Sequence, residues 1–485
     1  SAQDISGNLA SEALTLHSEL KLERQGKNWQ WQTQQRLSKG AFYIDPIYLD
    51  IEKAQPISLK ASGSLDSNNK AITLTSVSLK HKGIAHIDAK ALIHYKKTEP
   101  ILKQADINFY ADNLETISSL YLAPFLEGKP IQDLSLQGNL SATLTIENQA
   151  LHEAHLNFNS LQLSSKQQAI SIEQLAGSVY WNHLWENKQD SHLYWQALSI
   201  KNIPFTASQL DFSLAEQQLN LLQPAKLALL DGILSIEKFD FNLNAAEESS
   251  VTLRARLDKL SLNELSAAMH WENPLSGTLS GYIPSVNYHQ KKLTLEGGLK
   301  MQLFDGEIRI SQLAASGLLT DFSQFYIDLE FENLDLNEVT KKFPIGRIQG
   351  RLSGFAHNVY LENWQPISFY AWLGTPDDDD SRHKISHRAV RNIASLGGSS
   401  AADVISRGVL SWFDDFGYDR LGIGCYLHQG VCQMTGAAAA SQGYYLIKGG
   451  GIPSIDIIGF NTRVNWHTLM NRLSRITANN MVVEP

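Results

Sequence analysis

The sequence contains 485 residues, of which 43% are hydrophobic, and it carries a net charge of −9 with a pI near 5.9. This length predicts two to four domains, and an acidic chain without a cluster of more than three Lys or Arg residues excludes nucleic acid as the expected partner. The sequence has no run of 18 apolar residues and no charged-then-apolar leader, so neither a membrane-spanning helix nor an export signal is predicted. The chain opens without Met, directly in an alternating pattern, and we interpret it as an excised fragment.

Apolar and polar residues alternate through most of the first 370 residues, which predicts antiparallel strands with one apolar and one solvated face. Trp29 and Trp31 share a strand face, as residues of a packed core or of a ligand groove both would. Many such strands joined by polar turns predict a meander. The residues predicted to line the apolar face are Leu14, Leu16, Leu20, Leu22, Trp29, Trp31, Ile72, Leu74, Leu140, Leu144, Leu253, Leu257, Leu279, Leu303, Ile308, Ile310, Ile327, Leu329 and Phe331.

A duplicated unit occupies about residues 219–292 and 293–366. Its landmarks recur at an offset of 74 residues, or 73 at the last of them. A period in this range predicts one supersecondary unit stacked on copies of itself, because a single unit cannot bury its apolar face alone. A weaker third copy is predicted to begin at Asp112-Asn113-Leu114. The landmarks are Asp231-Gly232 and Asp305-Gly306, Leu262-Asn263-Glu264 and Leu336-Asn337-Glu338, and Gly-x-Leu-Ser-Gly starting at Gly277 and at Gly350.

Each copy is predicted to carry one short helix after its Leu-rich strand, because Ser261-x-x-Glu264 and Asp335-x-x-Glu338 are capping-box patterns. A long sheet with one apolar face has to cover that face with a second sheet, barrel closure, a layer of helices or a ligand. The sequence of this region contains no helices of useful length that could form such a layer. The other three options remain open.

The residue pattern changes near residue 375 from strand-like alternation to helical segments. This change predicts a repetitive β region at 1–374 and a C-terminal domain at 375–485. Two helices are predicted at the start of this domain, the first with Ile385 on its apolar face and the second capped by Ser400. A further strand and a last amphipathic helix around Leu469 are predicted to complete it.

Cys425 and Cys432 are the two cysteines of the chain, and apolar residues flank a His-Gln-Gly turn between them. This pattern predicts a tight hairpin with the two sulfurs on facing strands. A disulfide would indicate an oxidising compartment and would stabilise the fold by about 2–3 kcal/mol because its loop is short. The alternative is two unpaired buried thiols in a cytosolic protein.

Candidate catalytic and metal-binding groups are weak in this sequence. The acidic run at 377–380 beside His383 and His387 supplies charge without fixed geometry, so an exposed solvated loop is favoured over a metal site. The glycines at 449–451 precede neither Lys-Ser/Thr nor a helix, which favours a strand bend over a phosphate-binding loop. With no nucleophile elbow and no His-Glu-x-x-His, we predict neither an enzyme nor a cofactor.

The C-terminal block carries a series of short motifs in a fixed order. They are Ser381-Arg382-His383-Lys384-Ile385-Ser386, Ser395-Leu396-Gly397-Gly398, Phe413-Asp414-Asp415-Phe416-Gly417-Tyr418-Asp419, Gly422-x-Gly424-Cys425, Gly430-Val431-Cys432, Lys448-Gly449-Gly450-Gly451-Ile452-Pro453 and Val464-Asn465-Trp466. In this order they resemble the YdbH family, which belongs to the AsmA-like bacterial envelope proteins together with TamB and YhdP. The specific resemblance covers roughly residues 375–470, and the preceding repeats are similar to the wider superfamily only in style.

This resemblance implies a periplasmic protein, anchored in the inner membrane of a diderm bacterium. It implies a mainly β fold in which a long twisted antiparallel sheet, with short capping helices and an α+β C-terminal block, curls into an elongated open trough. The apolar inner face would carry phospholipid acyl chains towards the outer membrane without enzymatic chemistry. A small outer-membrane lipoprotein is implied as a partner that adds strands at the C-terminal end. The alternatives are a structural or assembly scaffold built on that strand addition, and dicarboxylate transport, a label that the family has also carried.

Overall fold

The computed structural model describes residues 2–4, 8–26, 28–51, 56–66, 69–96, 99–242, 250–271, 274–289, 292–316, 322–343, 345–397 and 413–478. Contacts between backbone positions divide the chain into two compact units. Unit 1 comprises Ser1–Leu230 with Leu234–Glu247, and unit 2 comprises Asp231–Ile233 with Glu248–Pro485. Both units are mainly β and antiparallel, as the alternation predicts.

Unit 1 consists of successive hairpins with little helix. Its strands are β1 (Ala2–Gln3), β2 (Leu9–Gln25), β3 (Asn28–Ile44), β4 (Ile47–Asp50), β5 (Ile57–Asp66), β6 (Ala71–His81), β7 (Ala85–Lys96), β8 (Glu99–Ala111), β9 (Ser135–Glu147), β10 (Ala150–Ser165), β11 (Ile170–Asn182), β12 (Asp190–Trp195), β13 (Ala197–Ile200), β14 (Ile203–Phe205), β15 (Ser208–Ala215), β16 (Gln218–Leu221), β17 (Ala225–Leu229) and most of β18 (Gly232–Asn242). Its helical segments are α1 (Leu114–Ile117), a π-helical turn (Ser118–Leu122), α2 (Ala123–Leu126) and a 3-10 turn (Trp185–Asn187).

Unit 2 continues this style and ends in an α+β block. Its strands are β19 (Ser250–Ser261), β20 (Gly277–His289), β21 (Lys292–Leu303), β22 (Gly306–Ser316), β23 (Gln324–Asp335), β24 (Ile348–Gln349), β25 (Arg351–Glu362), β26 (Gln365–Gly374), β27 (Lys384–Ser386), β28 (Asp415–His428), β29 (Val431–Gly436), β30 (Ala438–Ala439), β31 (Tyr444–Gly449), β32 (Ile457–Gly459) and β33 (Arg463–Asn465). Its helices are α3 (Leu262–Ala268), α4 (Leu336–Lys342), α5 (His387–Gly397) and α6 (Trp466–Ala478).

The duplicated unit of the sequence corresponds to a repeated order of elements. Counted from the Asp-Gly landmark, the first copy runs β18, β19, α3, β20, β21, and the second runs β22, β23, α4, β25, β26 with the two-residue strand β24 inserted after α4. The weaker third copy follows the same order as β7, β8, α1, β9, β10. Each copy is therefore two strands, a short helix and two strands.

The capping residues predicted for these helices occupy their caps. The Ser261 hydroxyl accepts a hydrogen bond from the Glu264 N–H at 3.4 Å, and Asp335 accepts from Asn337 and Glu338 at 2.7 and 3.2 Å. In the third copy the side chain of Asn113 accepts from the Thr116 N–H at 3.0 Å. These bonds satisfy N–H groups that the first turn of a helix leaves without partners.

The glycine landmarks mark the return from helix to sheet. Gly277 and Gly350 adopt φ angles of +147° and +139°, in a region that L side chains rarely enter. A Cβ at Gly277 would also lie 2.1 Å from the Gln302 carbonyl oxygen, and one at Gly350 would lie 2.2 Å from the Tyr418 hydroxyl. The repeat therefore keeps glycine at this position for both conformation and space.

The C-terminal block has a buried core of its own. Val390 and Ala394 of α5, Phe416 of β28 and Ile447 of β31 are at most 1% exposed within this core, and Leu469 of α6 packs with them at 5%. The amphipathic helices α5 and α6 therefore use their apolar faces as predicted. The predicted helix capped by Ser400 lies outside the described residues.

One element of this block differs from the prediction. Ile385 is completely buried, but it lies on β27 rather than on the helix, and it pairs with Ile348 and with Phe416. The apolar residue before the helix therefore completes a small three-stranded ladder, and α5 begins two residues later. Sequence spacing does not distinguish these cases, because one apolar residue next to a helix fits both periods.

The predicted cysteine hairpin is confirmed. Cys425 of β28 and Cys432 of β29 form a disulfide, and His428 pairs with Val431 at the end of the ladder. Gln429 and Gly430 form the turn with φ angles of +50° and +71°, as a two-residue hairpin turn requires.

The antiparallel sheet continues past the domain boundary predicted at residue 375. Gly374, the last residue of β26, pairs with Gly422 of β28, and the ladder extends to a pair between Phe369 and Leu427. The connection between these strands contains α5 and the loop at 377–380. The C-terminal block is thus joined to the repetitive region by a strand ladder within unit 2, and the boundary at 375 stays a prediction.

Candidate functional site

In unit 2, one face of the sheet carries apolar side chains in rows that cross the strands. Residues paired across neighbouring strands lie on the same face, so the pairing registers define each row. One row passes without interruption through nine strands, from β19 to β29. Its members are Leu257, Gly281, Leu299, Ile310, Leu329, Ala356, Ala371, Cys425 and Met434.

A second apolar row lies beside the first. On every strand except β19, its residue is two positions from the residue of the first row. Between β19 and β29 this row contains no charged residue. Its members are Leu260, Leu279, Met301, Ile308, Phe331, Gly354, Leu373, Ile423 and Gly436. Predicted face residues of the repeats thus meet in two adjacent rows.

The residues between these rows point to the opposite, polar face. There Lys300 pairs with Arg309, and Arg309 pairs with Glu330. The Arg309 guanidinium contacts Glu330 at 3.4 Å and Glu307 at 2.9 Å, and it also contacts Glu332. Hydrogen bonds from Lys300 and Arg309 hold the pKa of the Glu307 carboxyl below its ordinary value against the effect of burial. A charged network of this kind belongs in water, so the two faces differ in polarity from β20 to β23. On β25 and β26 the same row continues with Phe355 and Trp372.

Unit 1 has the same arrangement on its own sheet. A row of small and apolar residues crosses nine strands from β2 to β11. Its members are Leu20, Thr33, Ala61, Val77, Ala89, Ile107, Leu144, Ala154 and Trp181. The polar face carries a parallel row, which consists of Glu19, Gln34, Lys60, Ser78, Asp88, Asn108 and Thr143.

Trp31 lies on the apolar face of unit 1 and spreads over a neighbouring strand. It pairs with Leu22 on one side and with Gly63 on the other, and Gly63 pairs with Leu74. A Cβ at Gly63 would lie 2.8 Å from Trp31 Cζ2, so the glycine leaves room for the indole. Trp29 is 38% exposed and lies 5.7 Å below the Arg24 guanidinium. Both tryptophans therefore lie on the surface of this face and not in a closed core.

The apolar face is partly open along these rows. Of the nine residues in the first row of unit 2, all except the terminal Met434 remain half-buried, whereas residues of a packed core are nearly inaccessible. At the edge strand β2 the exposure is larger, with Leu16, Leu20 and Leu22 at 55–60%. The rows therefore expose an apolar surface of the kind that soluble proteins rarely leave without a ligand or partner.

The helix end of each repeat is closed instead. Leu260, Leu262, Leu334 and Leu336, which flank the starts of α3 and α4, are 2–5% exposed. Leu303 belongs to this end, because it pairs with Gly277 and Gly306 and is only 5% exposed. Its placement corrects the sequence prediction, since Leu303 offers almost no surface to a ligand.

In unit 1, α1 covers the corresponding end. Leu114 of α1 is 3% exposed and packs in a cluster with Leu161, Trp195 and Leu227, against which Leu140 is partly buried. Leu140 therefore also belongs more to the protein core than to the open face.

The pairing registers also define the positions of the remaining predicted residues on the apolar faces of the two units. Leu16 pairs with Leu37, Ile72 pairs with Leu65 and Ile93, Leu253 pairs with Val286, and Ile327 pairs with Val359. Leu14 lies beside a register shift between Glu12 and Thr15 and is 42% exposed.

Sequence reasoning missed several members of the rows. Leu299 and Met301 alternate with Lys300 and Gln302, a pattern that predicts a strand, but they follow Gly297 and Gly298. The ladders on both sides of β21 change register near these glycines, and the shift interrupts the period of two. The alternation over residues 299–302 is the local signal that predicts Leu299 and Met301 on one face.

The C-terminal block closes the face at its last strands. Trp466 at the start of α6 packs edge-on against Phe369 of β26, with ring centroids 5.3 Å apart. Met434, the last residue of the first row, is 7% exposed and belongs to the buried core of the block. The open rows of unit 2 therefore end against protein on this side.

The acidic run at 377–380 is not simply the solvated loop that the sequence predicts. The Asp379 side chain is 2% exposed and accepts hydrogen bonds from the Arg351 N–H at 2.8 Å, the Ser381 N–H at 2.9 Å and His383 Nε2 at 2.9 Å. Burial raises the pKa of Asp379, but these hydrogen bonds outweigh it and lower the pKa to about 2. The other three aspartates of the run are exposed.

Two further observations concern chemistry and membranes. Within the described ranges, no three His, Cys, Asp or Glu side chains are grouped so that they could hold a metal ion. No helix among the described residues combines the length and apolar character needed to cross a membrane.

Comparison with known proteins identifies no relative: no family profile, curated protein or solved structure matches this chain.

Proposed function

We propose that this protein is a non-enzymatic lipid carrier whose apolar face holds the acyl chains of phospholipids. The observation that carries the proposal is the uninterrupted row from Leu257 to Cys425, in which small and apolar residues are half-buried on successive strands. Seven steps between strands, at about 4.8 Å each, give this open part of the row a length of about 34 Å along the sheet. One leaflet of a bilayer core is about 15 Å thick, so the row is long enough for an acyl chain lying across the strands.

The energetics of such a complex favour retention with mobility. Burial contributes about 0.8 kcal/mol per methylene, so sheltering half the surface of a chain of about 16 carbons contributes roughly 6 kcal/mol. Apolar contacts have no preferred direction, and the row contains no charged group that would fix the ligand at one point. The headgroup would remain in solvent, because the rows offer it no charged partner. The residues that alternate with the rows face the other side of the sheet.

Leu329→Glu is the most direct test, because Leu329 lies in the centre of the row between Ile310 and Ala356. A carboxylate there would have to be desolvated by any bound acyl chain, so lipid content should fall at least about tenfold. Lipid extraction and native mass spectrometry of the purified full chain measure this content. A wild-type protein that carries no lipid and binds none when it is supplied would contradict the proposal.

Ser280→Glu is a matched control in the same sheet. Ser280 lies between the row residues Leu279 and Gly281 on the polar face, opposite Lys300. The added charge is the same but should leave lipid content unchanged. Leu329→Ala, which removes apolar contact without adding charge, should show an intermediate loss and checks that the effect of the glutamate is not misfolding.

The resemblance noted in the C-terminal block adds a location to this proposal. The disulfide between Cys425 and Cys432 is typical of an oxidising compartment, which supports the periplasm. Inner-membrane anchoring by a segment outside this chain, and a small outer-membrane lipoprotein that adds strands to the C-terminal end, remain parts of the same proposal.

A second candidate function is a scaffold for strand addition, favoured by the edge of β2. Among the described residues, β2 pairs with β3 along most of its 17 residues but with β1 only at Ala10 and Ser11. A long edge with exposed leucines is a template for another strand. Lys21→Pro would disturb such pairing and should abolish capture of a partner while lipid content survives. Loss of lipid with retained partner capture would contradict the scaffold.

A further inference from the structure

Two highly exposed aromatic side chains lie at one end of strands β23, β25 and β26 in unit 2. Trp364 lies in the turn between β25 and β26 and is 72% exposed, and Phe322, just before β23, is 77% exposed. The residues beside them, Ser323 and Asn363, are joined by two hydrogen bonds, from the Asn363 N–H to the Ser323 carbonyl at 2.9 Å and from the Ser323 N–H to Asn363 Oδ1 at 3.2 Å. We call Phe322, Phe325 and Trp364 the aromatic lip.

The aromatic lip is continuous with the apolar face. Phe325 pairs with Ala315 and Leu361, and its ring lies 4.4 Å from the Trp364 indole at an angle of 34°. Phe325 stands ten residues before Asp335, the last residue of β23, so the lip lies about 33 Å along the strand from the closed helix end. One side of the indole thus rests on the apolar face, while most of its surface remains in solvent.

The charges around the lip restrict what it can bind. The described stretches 322–326 and 360–367 contain no Lys or Arg and a single carboxylate, Glu362, which accepts a hydrogen bond from Tyr360. Lys292 lies two strands from Gln324 in the same row, through Ser316. Attraction to anionic lipid headgroups grows with the number of clustered basic residues, and a single lysine two strands away does not form such a cluster. Trp is a residue of choice at the boundary between headgroups and acyl chains, because its ring is apolar and its N–H is a donor.

We infer that the aromatic lip inserts into the interfacial region of a zwitterionic phospholipid bilayer, and that lipid passes there between the bilayer and the apolar face of unit 2. This inference rests on the proposed lipid-carrying function. The two hydrogen bonds join Asn363 to Ser323 before contact, so little conformational entropy of the turn that carries Trp364 is lost when the indole inserts. Insertion removes the exposed surface of Trp364 from water and leaves Phe325 at the depth where acyl chains begin.

The test measures binding of the full chain to phosphatidylcholine vesicles by flotation. Trp364→Ala should weaken vesicle partition about tenfold, as expected for one large buried aromatic side chain, and Trp364→Phe should restore part of it. Trp271→Ala is the matched control, because Trp271 is 40% exposed beside the C-terminal end of α3, at the opposite end of the repeat. It should bind vesicles like wild type.

Vesicles of brominated phosphatidylcholine provide a second readout. Bromine on the acyl chains should quench part of the tryptophan emission of the wild-type protein. This quenched part should be lost in Trp364→Phe and retained in Trp271→Ala. Equal partition of Trp364→Ala and wild type, or equal weakening by Trp271→Ala, would overturn the inference. So would a loss of self-association in Trp364→Ala without loss of vesicle binding, because the lip would then contact a second copy of the chain.

A monomeric ligand separates this inference from the proposed function. Lysophosphatidylcholine below its micelle concentration needs no bilayer docking, so Trp364→Ala should bind it normally while Leu329→Glu should not. If Trp364→Ala keeps wild-type vesicle binding and Leu329→Glu loses the monomer, the inference fails and the proposed function stands. If Leu329→Glu also binds the monomer like wild type, both fail.

Discussion

Asp379 fixes the connection between β26 and β27 through three hydrogen bonds to a carboxylate that is almost fully buried. Its neighbours His383 and Tyr418 stack at 4.8 Å, and the Tyr418 hydroxyl donates to the Gln349 carbonyl at 2.6 Å. One side chain thereby joins the loop, the strand β25 and the C-terminal block. In the acidic run 377–380, the Asp379 carboxylate has a structural role, whereas the other three aspartates are exposed to solvent.

The lowered pKa of Asp379 makes stability depend on pH. Because the folded pKa of about 2 lies below the ordinary value of an aspartate, the stabilisation is complete above about pH 4 and is lost as the pH falls towards 2. The shift corresponds to roughly 2 kcal/mol. Asp379→Asn should therefore lower the thermal midpoint at pH 7 and reduce its decline between pH 4 and pH 2.

Asp378→Asn provides the comparison for this prediction, since Asp378 is exposed in the same loop. It should leave the thermal midpoint unchanged at both pH values. An Asp379→Asn variant with the same acid sensitivity as wild type would show that the carboxylate is not the source of the pH dependence.

At the scale of elements, a short helix in each repeat turns the chain from one pair of strands to the next. These helices have only four to seven residues, so their own hydrogen bonds do not stabilise them in isolation. They depend on a side-chain cap at the first turn and on a buried leucine, Leu114, Leu262 or Leu336. The cap and the leucine recur because both are needed to seal one end of the sheet.

Asp335→Ala should destabilise unit 2 by about 1 kcal/mol, because two N–H groups of α4 lose their acceptor. Asp335→Asn keeps an acceptor of similar geometry and should cost much less. Denaturant unfolding measures both, as a shift in midpoint at constant slope. Equal losses for alanine and asparagine would indicate that the charge at Asp335, and not the cap, supplies the stabilisation.

At the scale of the whole molecule, the sequence predicts what depends on short-range periodicity. Strands, the cysteine hairpin and the capped helices are encoded within a few residues each, so β23, the pair Cys425 and Cys432, and the cap at Ser261 follow from spacing alone. A period of two also specifies which residues share a face. It does not specify which positions along a strand are buried at the helix end. The alternation therefore predicts Leu303 on the open face, although Leu303 is buried.

Long-range pairing could not be predicted in the same way. The ladder between β26 and β28 crosses a connection of about 40 residues, and no local signal indicates that these strands meet. In unit 1, β11 pairs with parts of β12, β13 and β15, an irregular arrangement that follows from packing around Trp195 and not from the pattern of each strand. The exposure of Trp364 likewise depends on which hairpin tips become neighbours.

The uniform chemistry of the row through Leu299, Ile310 and Leu329 sets the kinetics of anything that travels along it. Between these three residues each step of about 4.8 Å exchanges one aliphatic contact for another, so the free-energy profile over this stretch is nearly flat. Motion on such a profile is a one-dimensional random walk without internal direction. Net flow would then follow the difference in occupancy between the ends, and any directional bias has to be imposed at the ends.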